Sequence, residues 1–522
     1  MARSPGRCPV TDLTADVLVV GGGPAATWAA VKAASTGARV VLADKGYCGT
    51  SGATASAGTG VWYVPPTPEA RERAMASREA LGGYLADRGW MARVLEQTYE
   101  SINEFAAITR YPFPVDAEGN PLRNGLQGPE YMRRMRAWVR RSGVRILDHS
   151  PVVELLVDSS GAAAGAVGHR RQEGHDYQVR AGAVVLATGG CAFLSKALGC
   201  NVNTGDGALL AAELGAEMSG MEFSNAYGIA PENTSVTKTA FYNYATFYRA
   251  DGSVLEGAGS QRGRSVIART LLTEKVYCRL DLADDAAQRA MRLAQPNFFL
   301  PFDRLGINPF TDRFAVTLLA EGTVRGTGGI RIVDEYCATT VPGLYAAGDA
   351  ATREPICGGF TGGGSHNAAW AISSGGWAGL GAAAFARTVG SAHREVVHAG
   401  GAALRPTGTG SVDADEVIRA VQAEVLPYDK NYLRHGDRLR TSLDVLHSVW
   451  EGLRVSVHAT GAQAPRARQA AAMVAHARWM YTSALARSET RGMAKRLDFP
   501  DQDPAQHHRI TSGGLDEVWA RP

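Results

Sequence analysis

A glycine-rich turn near the amino terminus constrains the fold more than any other feature. A nearly apolar run, Asp16 to Val20, leads directly into the sequence GGGPAA, and the helix-like segment TWAAVKAAST follows. In such a turn Gly21 allows the tight bend, Gly23 lets a diphosphate approach the backbone, and Ala26 allows close helix packing. The positive potential at the start of the helix favours the diphosphate. The segment predicts a strand, a turn and a helix that bind a dinucleotide.

A second apolar run completes this βαβ unit. Arg39 to Ala43 follows at the distance that a crossover helix requires, and it ends in Asp44 and Lys45. At that place a carboxylate can accept hydrogen bonds from both hydroxyls of an adenosine ribose, and it would repel a 2′-phosphate. Two later segments, VVLATGG (Val184 to Gly190) and VPGLYAAGDA (Val341 to Ala350), favour FAD over NAD as the dinucleotide. No separate NADPH domain is expected, so electrons must come from the substrate, oxygen or a protein partner.

Composition and charge exclude several other classes. The 54 Lys and Arg nearly balance the 51 Asp and Glu, and no long basic run is present, which argues against nucleic acid as a partner. No stretch approaches the length of an apolar membrane span, and the first residues lack a signal-peptide pattern, so we expect a cytoplasmic protein without membrane contact. The seven cysteines form no C-x-x-C pair, which argues against a disulfide framework, an iron–sulfur cluster and structural zinc.

The pattern of elements predicts an α/β protein with several units, since 522 residues exceed what one core usually serves. The βαβ pattern stops near residue 232 and returns with the segments IRIVDEYC and GLYAAGDA. We therefore predict a split Rossmann-like FAD-binding domain (1–231 and 327–400), an inserted α+β capping domain (232–326) and a C-terminal helical subdomain (401–522).

The motifs also follow the order of one protein family. In chain order they are GGGPAA, TSGATASAGTG, VVLATGG, NTGDG, MEF, GRSVIAR, TGGI, VPGLYAAGDA and ARSETRG. With them the chain resembles, over nearly its whole length, the fumarate reductase and succinate dehydrogenase flavoprotein superfamily, which includes L-aspartate oxidase and the adenylylsulfate reductase flavoprotein. The resemblance implies an FAD-dependent oxidoreductase with a mobile cap.

The resemblance also implies which residues hold FAD. Asp349 should bind the ribityl chain, Ser51, Ala57 and Gly58 should line the flavin, and Ser365 with Asn367 should lie near its pyrimidine side. Members with covalent flavin carry a His where this chain has Gly52, so noncovalent FAD is expected. The full predicted set is Gly21, Gly23, Pro24, Ala25, Ala26, Asp44, Lys45, Thr50, Ser51, Gly52, Ala57, Gly58, Val153, Ala187, Thr188, Gly189, Asn203, Asp206, Gly348, Asp349, Gly364, Ser365, Asn367 and Ala371.

The substrate site departs from the family pattern. The Gln-Phe-His-Pro-Thr stretch expected after MEF is replaced by the segment 225–229, Gly362 stands where the family has a substrate-clamping Arg, and Val324 stands for another His. Because paired donors for two carboxylates are lost, we expect a small anionic substrate other than succinate, fumarate or aspartate.

The predicted catalytic or substrate-binding residues are Arg264, Tyr227, Arg325 and His366. For each of them a purely structural role is the competing interpretation. Arg264 aligns with the arginine that donates a proton in fumarate-reducing members, but Ser265 follows it where an acidic residue is usual. It could instead bind the substrate anion, because a free guanidinium hardly ever loses its proton.

Other features have weaker functional interpretations. Cys191 and Cys357 flank flavin motifs but are interpreted first as small buried apolar residues, and the aromatic residues 241–248 are interpreted first as the core of the cap. Three alternatives to a simple dehydrogenase stay open: a subunit that exchanges electrons with a separate ferredoxin-like iron–sulfur protein, a flavin-dependent oxidase or monooxygenase, and a binding protein without turnover. A homodimer is a further possible partner state, and no metal is expected.

Overall fold

The computed structural model describes residues 10–237, 239–260, 263–361, 363–390, 394–408 and 412–522. Gly362, assigned above to the position of a family arginine, and Cys8 lie outside these ranges. The first part of the chain forms β1 (Thr11–Val20), α1 (Pro24–Ser35), β2 (Val40–Ala43), β3 (Gly58–Gly60), α2 (Pro68–Glu79), α3 (Arg88–Thr109), β4 (Gly125–Gln127), α4 (Gly128–Arg141), β5 (Arg145–Leu147), β6 (Val152–Val157), β7 (Ala163–Arg170), β8 (His175–Leu186), α5 (Asp206–Glu213) and β9 (Met218–Ser219).

The middle of the chain forms a second group of elements and then returns to the first. These are β10 (Ala226–Pro231), β11 (Thr246–Tyr248), α6 (Arg264–Thr270), β12 (Val276–Arg279), α7 (Asp285–Ala294), α8 (Pro296–Leu305), β13 (Phe314–Glu321), α9 (Gly322–Arg325), β14 (Gly329–Ile330), β15 (Leu344–Ala346), α10 (Glu354–Cys357), α11 (Gly364–Val389) and β16 (Val397–His398). The last part contains α12 (Ala414–Val425), α13 (Gly436–Ser456), α14 (Ala464–Ala486), β17 (Thr511–Gly513) and β18 (Trp519–Arg521).

The main sheet carries the glycine-rich turn. Its order is β16-β6-β7-β8-β1-β2-β5, with β15 beside the carboxyl end of β8. Strands β15, β8, β1, β2 and β5 are parallel, whereas β16, β6 and β7 pair antiparallel. Val20 lies opposite Ala43 on one side and Leu186 on the other, so these strands end at one level. The loops that follow parallel strands therefore meet at one edge of the sheet.

Small residues bring α1 and α11 close together above this sheet. A Cβ on Gly375 or Gly379 would lie 2.5 or 2.3 Å from the backbone oxygens of Ala25 and Ala29, which is closer than any side chain can approach. The apolar sheet and these helices share one large buried core. Packing at this distance fixes the first turn of α1 over the edge of the sheet.

The inserted unit has its own sheet and core. Strands β10, β13, β12 and β11 form an antiparallel sheet in that order, and a second cluster of buried residues, rich in phenylalanine, lies against it. Tyr242 and Phe247 are buried in this cluster. The cap sheet already begins at Ala226, ahead of the predicted boundary at 232, because β10 pairs with β13. We refer to this unit as the cap.

The C-terminal helices complete the molecule and confirm the predicted α/β class with an inserted α+β unit and a helical carboxyl-terminal region. Helix α14 is buried along most of its length against α5, α12 and α13. The strand β17 pairs with β9, and through it the end of the chain returns to the first part. Within the described ranges, no helix has the length and apolar character needed to cross a bilayer.

Candidate active site

A cavity of about 720 Å³ lies at the carboxyl edge of the parallel strands, between the main sheet and the cap. The ends of β1, β2, β8 and β15 contribute Gly21, Asp44, Ala187 and Gly348 to its wall. The first turns of α1 and α11 line it as well, and Arg264 lines it from the cap. Six separate segments of the chain therefore converge on one space.

The three glycines after β1 have different surroundings. A Cβ on Gly21, which has φ +125°, would lie 2.2 Å from the Ala187 carbonyl oxygen, and a Cβ on Gly22 would lie 2.0 Å from Asp44 Oδ2. At Gly23 the φ of −83° suits any residue, and an added Cβ would meet no atom within 4 Å. The protein itself therefore requires glycine at the first two positions, while the third leaves cavity space for a ligand.

Asp44 is positioned for an adenosine ribose. The Ser51 hydroxyl donates to its Oδ2 at 2.7 Å, and the Gly46 amide donates to Oδ1 at 3.2 Å. Burial raises the pKa of the Asp44 carboxyl, and the hydrogen bond from Ser51 opposes this shift. The neighbouring Lys45 also lines the cavity, where its Nζ pairs with Asp206 at 2.6 Å.

Two buried amide oxygens on the wall test whether this cavity fits FAD. Asn203 and Asn367 both line it, and each Oδ1 has no hydrogen-bond partner among the described residues. A buried acceptor without a donor is costly, and a dinucleotide with ribityl hydroxyls and a flavin N–H offers donors. The open position at Gly23 and these two acceptors therefore fit the predicted cofactor.

Two arginines carry the charge at the cap end of the cavity. Arg264 donates from Nη1 to the Tyr227 carbonyl oxygen at 3.1 Å, and its Nε has no partner within the described parts of the chain. Burial, together with the charge of Arg325, lowers the pKa of Arg264. Arg325 Nε lies 3.5 Å from Oε2 of Glu321, a fully buried carboxylate. The arrangement can bind an anion beside the cofactor site.

Most residues predicted to bind the cofactor lie on the cavity wall. They are Gly21, Gly23, Pro24, Ala25, Asp44, Lys45, Ser51, Gly52, Gly58, Ala187, Thr188, Gly189, Asn203, Asp206, Gly348, Asp349, Asn367 and Ala371. Arg264 and Arg325 of the predicted catalytic set join them.

Five of the described residues predicted to bind the cofactor lie off the wall. Ala26 is wholly buried in the sheet and helix core, Thr50 is exposed in the turn after β2, and the backbone of Ala57 bonds to Gly128. Val153 lies where the pairing of β6 with β7 shifts register, and its neighbour Val152 lines the cavity instead. Ser365 belongs to the first turn of α11 without reaching the wall, and of Gly364 the structure describes only its place at the start of that helix.

Tyr227 and His366, both predicted to face the substrate, point elsewhere. The Tyr227 hydroxyl donates to the carbonyl oxygens of Val425 and Leu426, so it joins the cap to the C-terminal helices. The His366 ring is buried against Trp62, with centroids 4.4 Å apart, and burial lowers its pKa to about 3. Both side chains pack inside the protein, where the competing structural interpretation placed them.

The cysteines that flank flavin motifs are buried. Cys191 and Cys357 have almost no exposed surface, and burial raises the pKa of both thiols, that of Cys357 to about 12. A thiol with a raised pKa is a poor nucleophile. Among the described residues no cluster of three or more His, Cys, Asp or Glu side chains could hold a metal ion.

Several wall residues have no motif that would predict them. Tyr111, Pro112, Pro114 and Leu122 belong to a segment between α3 and β4, and Phe360 follows α10. Arg353 supports the wall from behind: it pairs with Asp349, and its Nη2 donates to the Thr323 carbonyl oxygen at 2.9 Å. The i, i+4 spacing of Asp349 and Arg353 after the glycine-rich motif is the one sequence signal that could have indicated this support.

Known protein families match two parts of the chain. The family described as FAD binding domain matches residues 16–227, and the family described as Fumarate reductase flavoprotein C-term matches residues 424–517. L-aspartate oxidase from Streptomyces coelicolor is 27% identical over 95% of this chain and 91% of its own length.

Solved structures resemble the chain over its full length. E. coli quinol fumarate reductase FrdA has a TM-score of 0.82 at 19% identity and covers 98% of this chain and 97% of its own. Adenylylsulfate reductase from Archaeoglobus fulgidus has a TM-score of 0.78 at 16% identity and covers 100% and 98%. At these identities the likeness concerns the fold.

The fold, the cavity and the matched domains define an FAD-dependent oxidoreductase. The chain carries an FAD binding domain and a Fumarate reductase flavoprotein C-term domain and is similar to L-aspartate oxidase over nearly its full length, which confirms the predicted resemblance to the fumarate reductase and succinate dehydrogenase flavoprotein superfamily.

Proposed function

We propose that the chain oxidises or reduces a small anionic metabolite that binds between the FAD site and the cap, and that this metabolite is neither succinate nor fumarate. The observation that carries the proposal is the position of Arg264 and Arg325 on the wall of the cavity that also contains Gly23 and Asp44. An anion held there would lie beside the cofactor.

The side chains at the family's dicarboxylate positions support the second part of the proposal. Asn225 donates to the carbonyl oxygens of Asn431 and Met493 at 3.1 and 3.2 Å, and the Tyr227 hydroxyl is bonded to the C-terminal helices. Val324 offers the cavity an apolar surface. None of these three described side chains can donate to a second carboxylate in the cavity, which would be left poorly compensated.

The roles of the chain's own residues follow from this geometry. Bound FAD supplies hydride acceptance or donation at its ring. Arg264 holds the substrate anion and, with a pKa lowered by burial and by Arg325, is the candidate group to move a proton. Contacts of Gln127 with Ala294 and of Asn297 with Ser56 hold the cap against the FAD domain and limit the access of water.

Gly52 supports noncovalent binding of the cofactor. It lies on the cavity wall and has no side-chain atom that could bond to a flavin. Acid precipitation of the purified protein should leave the yellow cofactor in the supernatant. Flavin retained in the pellet would contradict this part of the proposal.

Anaerobic bleaching of the flavin against a panel of organic anions tests the proposed activity. The panel should include L-aspartate, because one relative is an aspartate oxidase, together with succinate. Fumarate is tested in the other direction, by reoxidation of the dithionite-reduced flavin. Arg264→Gln should weaken binding of the anion that bleaches the flavin about 10- to 100-fold, since a hydrogen bond to a charged group contributes about 1.5–3 kcal/mol. Arg264→Lys should weaken this binding less. Bleaching by succinate as fast as by any other anion would overturn the proposal.

The electron acceptor can be determined in the same experiment. Reoxidation by oxygen with release of peroxide indicates an oxidase. Slow reoxidation by oxygen, with fast reoxidation by a redox dye or an oxidised ferredoxin, indicates a subunit that works with a separate iron–sulfur protein.

A further inference from the structure

The cavity is lined by two chemically different groups of side chains besides polar ones such as Asn243. Arg264 and Arg325 contribute guanidinium groups, and the other charged residues of the lining belong to the set predicted to bind the cofactor. Tyr111, Leu122 and Phe360 contribute apolar surface, together with Phe241 from the cap. We call these four residues the apolar wall.

The apolar wall continues to the mouth of the cavity. Pro112 and Pro114 are exposed there, and Leu122 keeps 43% of its surface accessible while it lines the cavity. Val115, which adjoins them, is 61% exposed. Single exposed apolar residues are common on protein surfaces, but a contiguous group at the opening of a ligand cavity is typical of a surface that binds apolar groups.

Hydrogen bonds hold this mouth in place. The Leu122 amide donates to the Pro114 carbonyl oxygen at 2.7 Å, and Val115 forms a bridge with Pro121. At the tip of this hairpin the Asn120 amide donates to Asp116 Oδ1 at 2.7 Å. The exposed apolar side chains are therefore presented by an ordered hairpin, which lowers the entropic cost of binding a ligand.

Phe241 is held in place by the cap. Its ring packs on Phe298 and Phe299 of the cap core, with centroids 5.3 and 5.8 Å apart, and the Phe241 amide donates to the Thr239 hydroxyl at 3.1 Å. Phe241 lines the same cavity as the hairpin. Both therefore offer fixed apolar surface to a ligand.

We infer that the substrate carries one anionic group and an apolar body of ring or extended-chain type, in contrast to a short dicarboxylate. The anion would bind to Arg264 and Arg325, and the body would lie against Phe241, Leu122, Tyr111 and Phe360. A second carboxylate placed against Phe241, Leu122 and Phe360 would be desolvated without a hydrogen-bond donor from these side chains, which is costly. The inference rests on the proposed function, since it concerns the same site.

Binding of three simple probes to the purified holoenzyme tests this inference. Phenylacetate, acetate and succinate are titrated, with the perturbation of the flavin absorbance spectrum and calorimetry as readouts that need no turnover. Phenylacetate should bind about tenfold or more tightly than acetate because its ring is buried, and succinate should bind no more tightly than acetate. Equal binding of acetate and phenylacetate, tighter binding of succinate, or no phenylacetate binding at millimolar concentration would overturn the inference.

Leu122→Ala is the matched variant for the apolar wall. It should weaken the binding of phenylacetate several-fold and leave the binding of acetate unchanged. The control is Leu272→Ala, which alters a 49% exposed leucine away from the cavity wall and should change the binding of neither probe. Unchanged phenylacetate binding in Leu122→Ala would count against the hairpin as part of the site.

The two proposals fail in different ways. Protein that takes up no FAD overturns the proposed function. Protein that binds FAD, is not bleached by succinate and binds acetate as tightly as phenylacetate keeps the proposed function and overturns only the apolar body inferred here.

Discussion

Gly23 differs from its two neighbours because the protein places no atom where its side chain would be. Gly21 and Gly22 face a carbonyl oxygen and the Asp44 carboxylate at distances that exclude any Cβ. At these two positions glycine serves the fold, and at Gly23 it serves the ligand. The motif therefore contains separable structural and binding contributions.

Gly23→Ala should separate these contributions. The unfolding temperature of the apoprotein should stay unchanged, while FAD affinity should fall by about 1–3 kcal/mol because the new methyl group occupies ligand space. Equilibrium dialysis or flavin fluorescence measures the affinity. Gly452→Ala, in the open face of α13, is the control and should leave FAD binding unaffected. Loss of apoprotein stability in Gly23→Ala with normal FAD affinity would contradict this assignment.

His476 predicts a pH dependence of stability. Its ring is buried in α14, where Nε2 and the Thr323 hydroxyl lie 3.2 Å apart, and burial lowers its pKa from 6.5 to about 3. Between these two pKa values the unfolded chain binds a proton that the folded chain does not bind. The contribution of His476 to the free energy of unfolding is therefore fully present above pH 6.5 and is lost as the pH falls toward 3. The slope for one such group approaches about 1.4 kcal/mol per pH unit.

His476→Gln should lose this contribution while it keeps a partner for Thr323. Urea unfolding of the apoprotein at pH 7, 6 and 5 should show a shallower decline in the free energy of unfolding than the wild type. Parallel curves for the two proteins would show that His476 does not carry the effect.

At the scale of elements, two family motifs meet in a buried network of charges. Arg487 of the ARSETRG segment pairs with Glu222 of MEF at 2.8 Å and with Glu489 at 2.7 Å, and all three are fully buried. Arg491 pairs with Glu489 at 2.6 Å and donates to the Gly83 carbonyl oxygen. The network joins the C-terminal region to the FAD domain.

Arg487→Met should destabilise the protein by about 3–5 kcal/mol, because it leaves the buried Glu222 carboxylate without its partner. The midpoint of urea unfolding measures the loss. Arg521→Ala removes a pair with Glu217 in which the arginine is 61% exposed, and it should cost less than about 1 kcal/mol. Similar losses in both variants would argue against a special role for the buried network.

Elements with strong local signals were predictable from the sequence. The strand before the glycine turn, the helix after it and the run of strands β5 to β8 follow from apolar runs bounded by glycine and polar residues. In β6 the sequence predicts Val153 at the cavity, whereas Val152 lines it. The pairing with β7 shifts register between Val152 and Glu154, and the apolar run of the sequence does not reveal such an irregularity. The segment IRIVDEYC contributes only its first residue, Ile330, to the strand β14.

The substrate end was predictable only where a motif marks it. Arg264 and Arg325 belong to conspicuous segments and line the cavity as expected. Tyr227 and His366 share such segments but turn inward, since their orientation depends on packing with the C-terminal helices and with Trp62. The hairpin around Leu122 has no motif, and tertiary contacts alone bring it to the cavity.

At the scale of the whole molecule, the cofactor site is a junction of distant segments. The wall draws on the ends of β1, β8 and β15 and on the start of α11, which are separated by long stretches of chain. A ligand that binds only the folded form stabilises all of them together, by about 2.7 kcal/mol at a free concentration of 100 times Kd.

Hydrogen exchange with and without FAD should reveal this junction. Amides in the segments 21–25, 187–189, 348–349 and 367–371 should all gain protection on addition of FAD, whereas α12 on the far side of the C-terminal region should change little. Protection restricted to the first segment would show that only the adenosine half of the site is formed.

The return of the chain end to β9 has a consequence for biosynthesis. Thr511 pairs with Ser219, and Arg521 bonds to Glu217 across 304 residues of sequence. While the ribosome is still translating, β9 lacks its pairing with β17, so this edge of the fold can form only after the segment 511–521 has emerged. The cavity wall draws on residues no later than Ala371, so its segments are synthesised well before this edge can close.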